Sequence, residues 1–296
     1  MEEMEETEMR TAMKPIQLIV NLPFSYWQRR DSDTLAPLQK PNERTLAAYI
    51  SSLMREIRSL GADLEECEVA AVHFSGGYMN LLTSDEFAEM MACIRRHFAC
   101  RADMQVSGVI FPGGLDMALI SAYKNEGVGP LMLEVPSLHA RECDRQHLPN
   151  TLQALDKTAY LMQNFGVADF GLRLPIGMQG RSESYWRFVL GQIFHYQPQH
   201  VSFFPQNGEP IQEDPAFETI KGELVRAGFT EVAKNFLTVA KVPPRLAAGA
   251  SEYAGVGLGA VSVLDGYKTQ NTADMRSYVM GSADYRQLIV SAEEIE

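Results

Sequence analysis

The chain has 296 residues, of which 46% are hydrophobic, and a formal net charge of −12. That size and apolar share suffice for a full core in one large or two small domains. The acidic balance disfavours sequence-independent binding to nucleic acid, which needs clustered Lys and Arg, and no run of about 18 apolar residues is present to predict a membrane-spanning helix.

Residues 1–14 read as a disordered acidic tail, because Met1 to Thr11 is rich in Glu rather than basic and apolar like a leader. Apolar runs of strand length then alternate with helical stretches. Strands are predicted over 17–21, 69–74, 104–110, 131–135, 169–174 and 200–204. Helices are predicted over 44–60, 85–98, 115–125, 137–147, 151–165 and 183–195. In the first helix Leu46, Tyr49, Ile50, Leu53, Ile57 and Leu60 fall at helical spacing, and Gly61 fits a stop. Thr83 and Ser84 are candidate caps for the second. This alternation predicts an α/β fold over residues 15–205: a partial (β/α)6 TIM-like barrel with helices outside a parallel sheet. Residues 206–296 form a C-terminal extension expected to pack on the barrel, with one helix over 217–227. Its Gly-rich run, Gly255 to Gly259, reads as a close-packed loop. The four cysteines, Cys67, Cys93, Cys100 and Cys143, make no disulfide framework in a chain this long. Reduced thiols of a cytoplasmic protein are expected.

Residues 18–32 read Leu-Ile-Val-Asn-Leu-Pro-Phe-Ser-Tyr-Trp-Gln-Arg-Arg-Asp-Ser. This strand end, closed by Pro23-Phe24, resembles the segment that precedes the C-x3-C-x2-C triplet in the oxygen-independent coproporphyrinogen III oxidase family of radical SAM proteins. By that resemblance Ser25, Arg29 and Ser32 occupy the three cluster positions. Hydroxyls are poor ligands for soft clusters, and a guanidinium cannot ligate. Val72-His73-Phe74-Ser75-Gly76-Gly77 is similar to the family's Gly-rich strand end near the SAM methionyl group, which makes Ser75, Gly76 and Gly77 a degenerate SAM loop. Asn125 to Val128, Asn164-Phe165-Gly166, Phe229 to Phe236, and Gly255 to Ala260 with Ser262, Gly266 and Asn271 resemble further segments in order, so the likeness spans residues 16–285. The departures gather where SAM would lie: Ser107 stands for a strand-three carboxylate, Val135-Pro136 for a Val-Gln pair, Arg173 for an Asp, and Ile19 for an aromatic residue. The resemblance therefore implies the fold without the radical chemistry.

Three groups are candidate sites. His73, Glu134 and Arg173 lie at or near strand ends, where they either pair structurally or clamp an anionic ligand. His139, Cys143 and His147 share a helical face just past strand four and are the candidates for haem or metal. Cys93, His97 and Cys100 also fall at helical spacing, but that helix lies outside the barrel and burial is the simpler reading. Tyr26 and Trp27 either cap a pocket or plug it.

The expected role is a non-catalytic pseudoenzyme that binds a ligand or a protein partner, such as an active radical SAM relative. One alternative is a carrier of haem or a porphyrin. The other is an enzyme that reuses the pocket for non-radical chemistry, with SAM as an ordinary cofactor. No bound cofactor is expected on the leading reading; haem and SAM belong to the alternatives.

Overall fold

The computed structural model describes residues 13–25, 38–39, 41–146, 152–167, 169–176, 182–205, 215–240, 252–281 and 286–290. Tyr26, Trp27, Arg29, Ser32, His147 and the expected acidic tail up to residue 12 lie outside them. Lys14, assigned to that tail from the sequence, begins the first strand.

The main strands are β1 (Lys14–Asn21), β2 (Cys67–Ser75), β3 (Ala99–Ile110), β4 (Val128–Glu134), β5 (Phe170–Ile176), β6 (His200–Pro205), β7 (Thr230–Ala233), β8 (Phe236–Thr238), β9 (Tyr253–Val256), β10 (Val261–Leu264), β11 (Tyr267–Asn271) and β12 (Arg286–Val290). The helices are α1 (Glu43–Asp63), α2 (Ser84–His97), α3 (Met117–Asn125), α4 (Ala140–Gln146), α5 (Leu152–Phe165), α6 (Glu183–Tyr196), α7 (Pro215–Arg226) and α8 (Met275–Met280). Among the described residues one sheet runs in the order β12-β11-β10-β9-β1-β2-β3-β4-β5-β6-β8-β7. Strands β1 to β6 are mutually parallel. The predicted six-unit β/α order is therefore present, as an open sheet with two edges.

The outer face is packed by helices. Phe74 of β2 meets Phe87 of α2, and Phe203 of β6 meets Phe217 of α7. From α1, Tyr49, Leu53 and Ile57 are fully buried. Leu53 and Ile57 each contribute about 1.5–3 kcal/mol by leaving water. Asn42 caps α1 and Thr83 caps α2 in a reciprocal capping box with Glu86.

Two expectations need correction. Gly61 does not stop α1, which continues to Asp63. A Cβ there would overlap the backbone carbonyl of His97, so glycine is required for close approach to the end of α2. The Gly-rich run is not simply a loop either. Tyr253–Val256 is a strand, added parallel to β1 with Gln17 opposite Tyr253 and Val20 opposite Val256. The carbonyl oxygen of Val261 occupies the space that a Cβ on Gly255 would need.

A buried polar knot fastens this extension to α1. Glu56 is 4% exposed. It accepts hydrogen bonds from the Gly257 N–H (2.9 Å), the Tyr278 hydroxyl (2.7 Å) and the Asn271 amide (2.7 Å). Tyr49 donates to the Asn21 carbonyl (2.6 Å) and accepts from the Leu258 N–H (3.1 Å). Ser262 accepts from the Gly255 N–H at 2.9 Å. The polar residues of the closing segment thus hold the added strand in place.

Candidate functional site

Side chains alternate across a strand, so residues flanking Phe74 and Phe203 point away from the helices. His73 of β2 lies between Val72 and Phe74, opposite Ile19 of β1 and Ser107 of β3. Arg173 of β5 lies between Glu134 of β4 and Ser202 of β6. His73, Arg173 and Ser202 are all partly exposed, so solvent reaches this inner face at the level of the strand ends.

Two polar contacts organise it. The His73 Nδ1 and the Ser107 hydroxyl lie 3.0 Å apart. The Glu134 carboxylate accepts from the Tyr78 hydroxyl at 2.8 Å and lies 3.1 Å from the Arg173 Nε. The Glu134 side chain is 1% exposed and that of Arg173 is 32% exposed. The Arg173 guanidinium lies 4.8 Å from the centre of the Phe204 ring, a cation–π arrangement. Burial, with the Arg173 charge second, pushes His73 down to about 4, so the imidazole is neutral at physiological pH.

The predicted trio of His73, Glu134 and Arg173 therefore shares one face, and two of its members are in direct contact. Tyr78 was missed as a partner of Glu134. The sequence signal was an aromatic residue with a hydroxyl directly after Gly76-Gly77, where the chain leaves a strand end. Asn80, also missed, anchors this loop by donating to the carbonyls of Phe111 (2.9 Å) and Gly113 (2.8 Å).

The glycines of the Ser75-Gly76-Gly77 loop have a packing explanation within the chain. Gly76 has φ +80°, and a Cβ on it would overlap the Asn21 carboxamide. A Cβ on Gly77 would lie 2.7 Å from the Phe24 nitrogen and overlap the Leu22 and Phe24 carbonyl oxygens. The loop is pressed against the segment that ends in Ser25, which is fully buried.

Of the haem or metal candidates, the Cys143 N–H donates to the His139 carbonyl at 3.2 Å, one helical turn away, and His147 lies outside the described residues. His139 packs edge-on against Phe188 and at a tilt to Tyr185 of α6, with ring centres 5.1 and 6.3 Å away. Cys143 is buried, with its thiol 3.9 Å from the Ser137 carbonyl. Cys93 points to the Met54 carbonyl (3.8 Å) and Cys100 to that of Phe98 (3.6 Å). Cys100 belongs to β3, so the expected shared helical face with Cys93 and His97 does not exist. No group of three His, Cys, Asp or Glu side chains suited to a metal occurs among the described residues. Iron–sulfur clusters are held by thiolates, and the described residues do not fit one.

This fold matches that of a solved coproporphyrinogen III oxidase. The solved structure of coproporphyrinogen III oxidase, HemN, from Escherichia coli matches 97% of this chain and 74% of that one, with a TM-score of 0.80 and 15% identity. Curated relatives agree with that resemblance. The heme chaperone HemW of Escherichia coli is 22% identical over 162 residues, 55% of this chain and 43% of the relative. An oxygen-independent coproporphyrinogen III oxidase of Bradyrhizobium diazoefficiens is 26% identical over 137 residues, 45% of this chain and 30% of the relative. That of Salmonella typhimurium is 20% identical over 198 residues, 64% of this chain and 42% of the relative. The chain thus matches less than half the length of each of these curated relatives. No family model matches it. Among the described residues no helix is long and apolar enough to cross a membrane.

Proposed function

We propose that this chain is a non-catalytic relative of the coproporphyrinogen III oxidases that binds a ligand on the inner face of its sheet and assembles no iron–sulfur cluster. The observation that carries this reading is the donor set. Ser25, Arg29 and Ser32 stand at the positions that resemble the cluster triplet. The four cysteines are spread over β2, α2, β3 and α4. The inner face meanwhile keeps a solvent-reached polar wall at His73, Arg173 and Ser202.

Anaerobic reconstitution with iron and sulfide, followed by absorbance with and without SAM, tests this. The expected result is no labile sulfide and no change on adding SAM. A broad thiolate-to-iron band near about 400 nm would overturn the reading, because other cysteines would then have rebuilt the site.

Haem or porphyrin binding is a second reading, favoured by the similarity to a heme chaperone. A haem titration that gives a sharp absorbance band, lost in His139→Ala or Cys143→Ala, would support it. An unchanged band in both variants would remove those two residues as ligands.

A further inference from the structure

The two ring nitrogens of His73, on the inner face of β2, have different surroundings. Its Nδ1 lies 3.0 Å from the hydroxyl of Ser107, the residue opposite it in register on β3. Its Nε2 has no hydrogen-bond partner among the described residues and is not sealed from solvent. Ile19, opposite His73 on β1 and partly exposed, places an apolar wall beside it.

The contact with Ser107 decides which nitrogen carries the proton. Ser107 is 7% exposed, and its hydroxyl meets no other hydrogen-bond partner among the described residues. With the proton on Nδ1, the imidazole would donate, and the hydroxyl hydrogen would be left without an acceptor in a nearly closed site, which is costly. With the proton on Nε2, the hydroxyl donates to Nδ1 and one bond satisfies both groups. Burial and, second, the Arg173 charge push His73 down to about 4, so it takes up no further proton at physiological pH. The nitrogen that solvent reaches is therefore an N–H donor on an uncharged ring. The same Arg173 charge makes this part of the face attractive to electron-rich atoms.

From this geometry we infer that Ser107 locks His73 in the Nε2–H tautomer, and that His73 donates this hydrogen to a carbonyl or carboxylate oxygen of the ligand on the inner face of the sheet. This rests on the ligand-binding reading above and gives that ligand an acceptor group at a stated atom. It also separates His73 from metal chemistry. The lone pair of the ring, on Nδ1, is taken by the Ser107 hydroxyl, so the imidazole does not ligate iron or zinc while that bond holds. His73 is the residue that touches the ligand, and Ser107 is a positioning residue.

Long-range proton–nitrogen NMR of the isotope-labelled full chain at neutral pH reads the tautomer directly. His73→Gln assigns the signal; if that variant does not fold, replacing the other histidines one at a time assigns it by elimination. The expected result is a protonated Nε2 and a bare Nδ1. Ser107→Ala should mix the two tautomers, and Ser107→Thr should restore the lock. The labelled chain is then titrated with acetate and, separately, with acetamide at constant ionic strength, with methylammonium as a probe that offers only donors. The Nε2–H signal should move saturably with acetate or acetamide, at a Kd on the order of 10–100 mM for such small probes. The tighter of the two tells a carboxylate from a carbonyl. Methylammonium should leave the signal in place. Ser107→Ala, with about half of its molecules in the wrong tautomer, should bind the probes about twofold more weakly. A proton on Nδ1, a tautomer unchanged in Ser107→Ala, no saturable shift with either oxygen probe up to about 0.3 M, or an equal response to methylammonium would overturn the inference. Each of these leaves the broader ligand-binding reading standing, whereas a reconstituted iron–sulfur cluster removes that reading whatever the tautomer.

Discussion

Glu134 and Arg173 stand opposite each other in register on neighbouring parallel strands, and the carboxylate Oε2 lies 3.1 Å from the guanidinium Nε. Removing the cation alone takes the charged partner from a buried carboxylate that still accepts from the Tyr78 hydroxyl. Arg173→Met should therefore cost about 3–5 kcal/mol, whereas Glu134→Gln/Arg173→Met should recover a large part of that loss. Urea unfolding of the two variants checks it. A cost below about 1 kcal/mol for the single change would mean that the pair behaves as a solvated surface bridge.

His73 gives a pH dependence with a definite sign. Its folded value is lowered from 6.5 to about 4. Between those values the unfolded chain binds more protons than the folded one, so stability falls as pH drops through 6.5 and levels off below about 4. The loss attributable to this residue is at most about 3 kcal/mol. Comparing unfolding curves of the wild type and His73→Gln at several pH values isolates it. Identical slopes in the two proteins would place the pH dependence elsewhere.

Gly76 and Asn21 form a coupled pair. Gly76→Ala combines an unfavourable left-handed backbone with overlap onto the Asn21 carboxamide, and should cost about 2–4 kcal/mol. Asn21→Ala in the same background should relieve the overlap but not the backbone term. A double-mutant cycle measures the difference. Simple additivity would show that the carboxamide moves aside freely.

Glu56 serves three donors with two oxygens. Glu56→Gln turns one acceptor into a donor and should cost about 1–3 kcal/mol, with Glu56→Ala costing more. Hydrogen exchange at the Gly257 and Leu258 amides should accelerate more than exchange in α2. Uniform acceleration would argue against a local fastening role.

The order of the six central strands was legible because buried parallel strands read as unbroken apolar runs, as in Val69 to Phe74 and Leu131 to Val135. The first half of β3 was not. Ala99 to Asp103 mixes small and charged residues and is mostly accessible, and it enters the strand through pairing of Ala99 and Cys100 with Glu68 and Val69. The strand at Tyr253–Val256 was also missed, because its Gly255 has low strand propensity. Pairing with β1 overrides that propensity. At the candidate site, Glu134 and Arg173 could be placed from their strand ends. The role of Tyr78 depends on how the chain turns after Gly77, and local pattern does not encode that turn. The strand–helix alternation and the resemblance to a known family pointed to the same fold, and the chemistry of Ser25, Arg29 and Ser32 argued against a cluster.

The parallel pairing of β9 with β1 also governs the order of assembly during synthesis. Strand β1 cannot complete its outer ladder until Tyr253 has been made. At about 5–20 residues per second, that edge waits on the order of tens of seconds with unpaired N–H and C=O groups. A nascent chain arrested before β9 would carry this open edge permanently and could pair with a neighbouring copy. Covering β1 during that interval would keep its open edge from pairing with another copy.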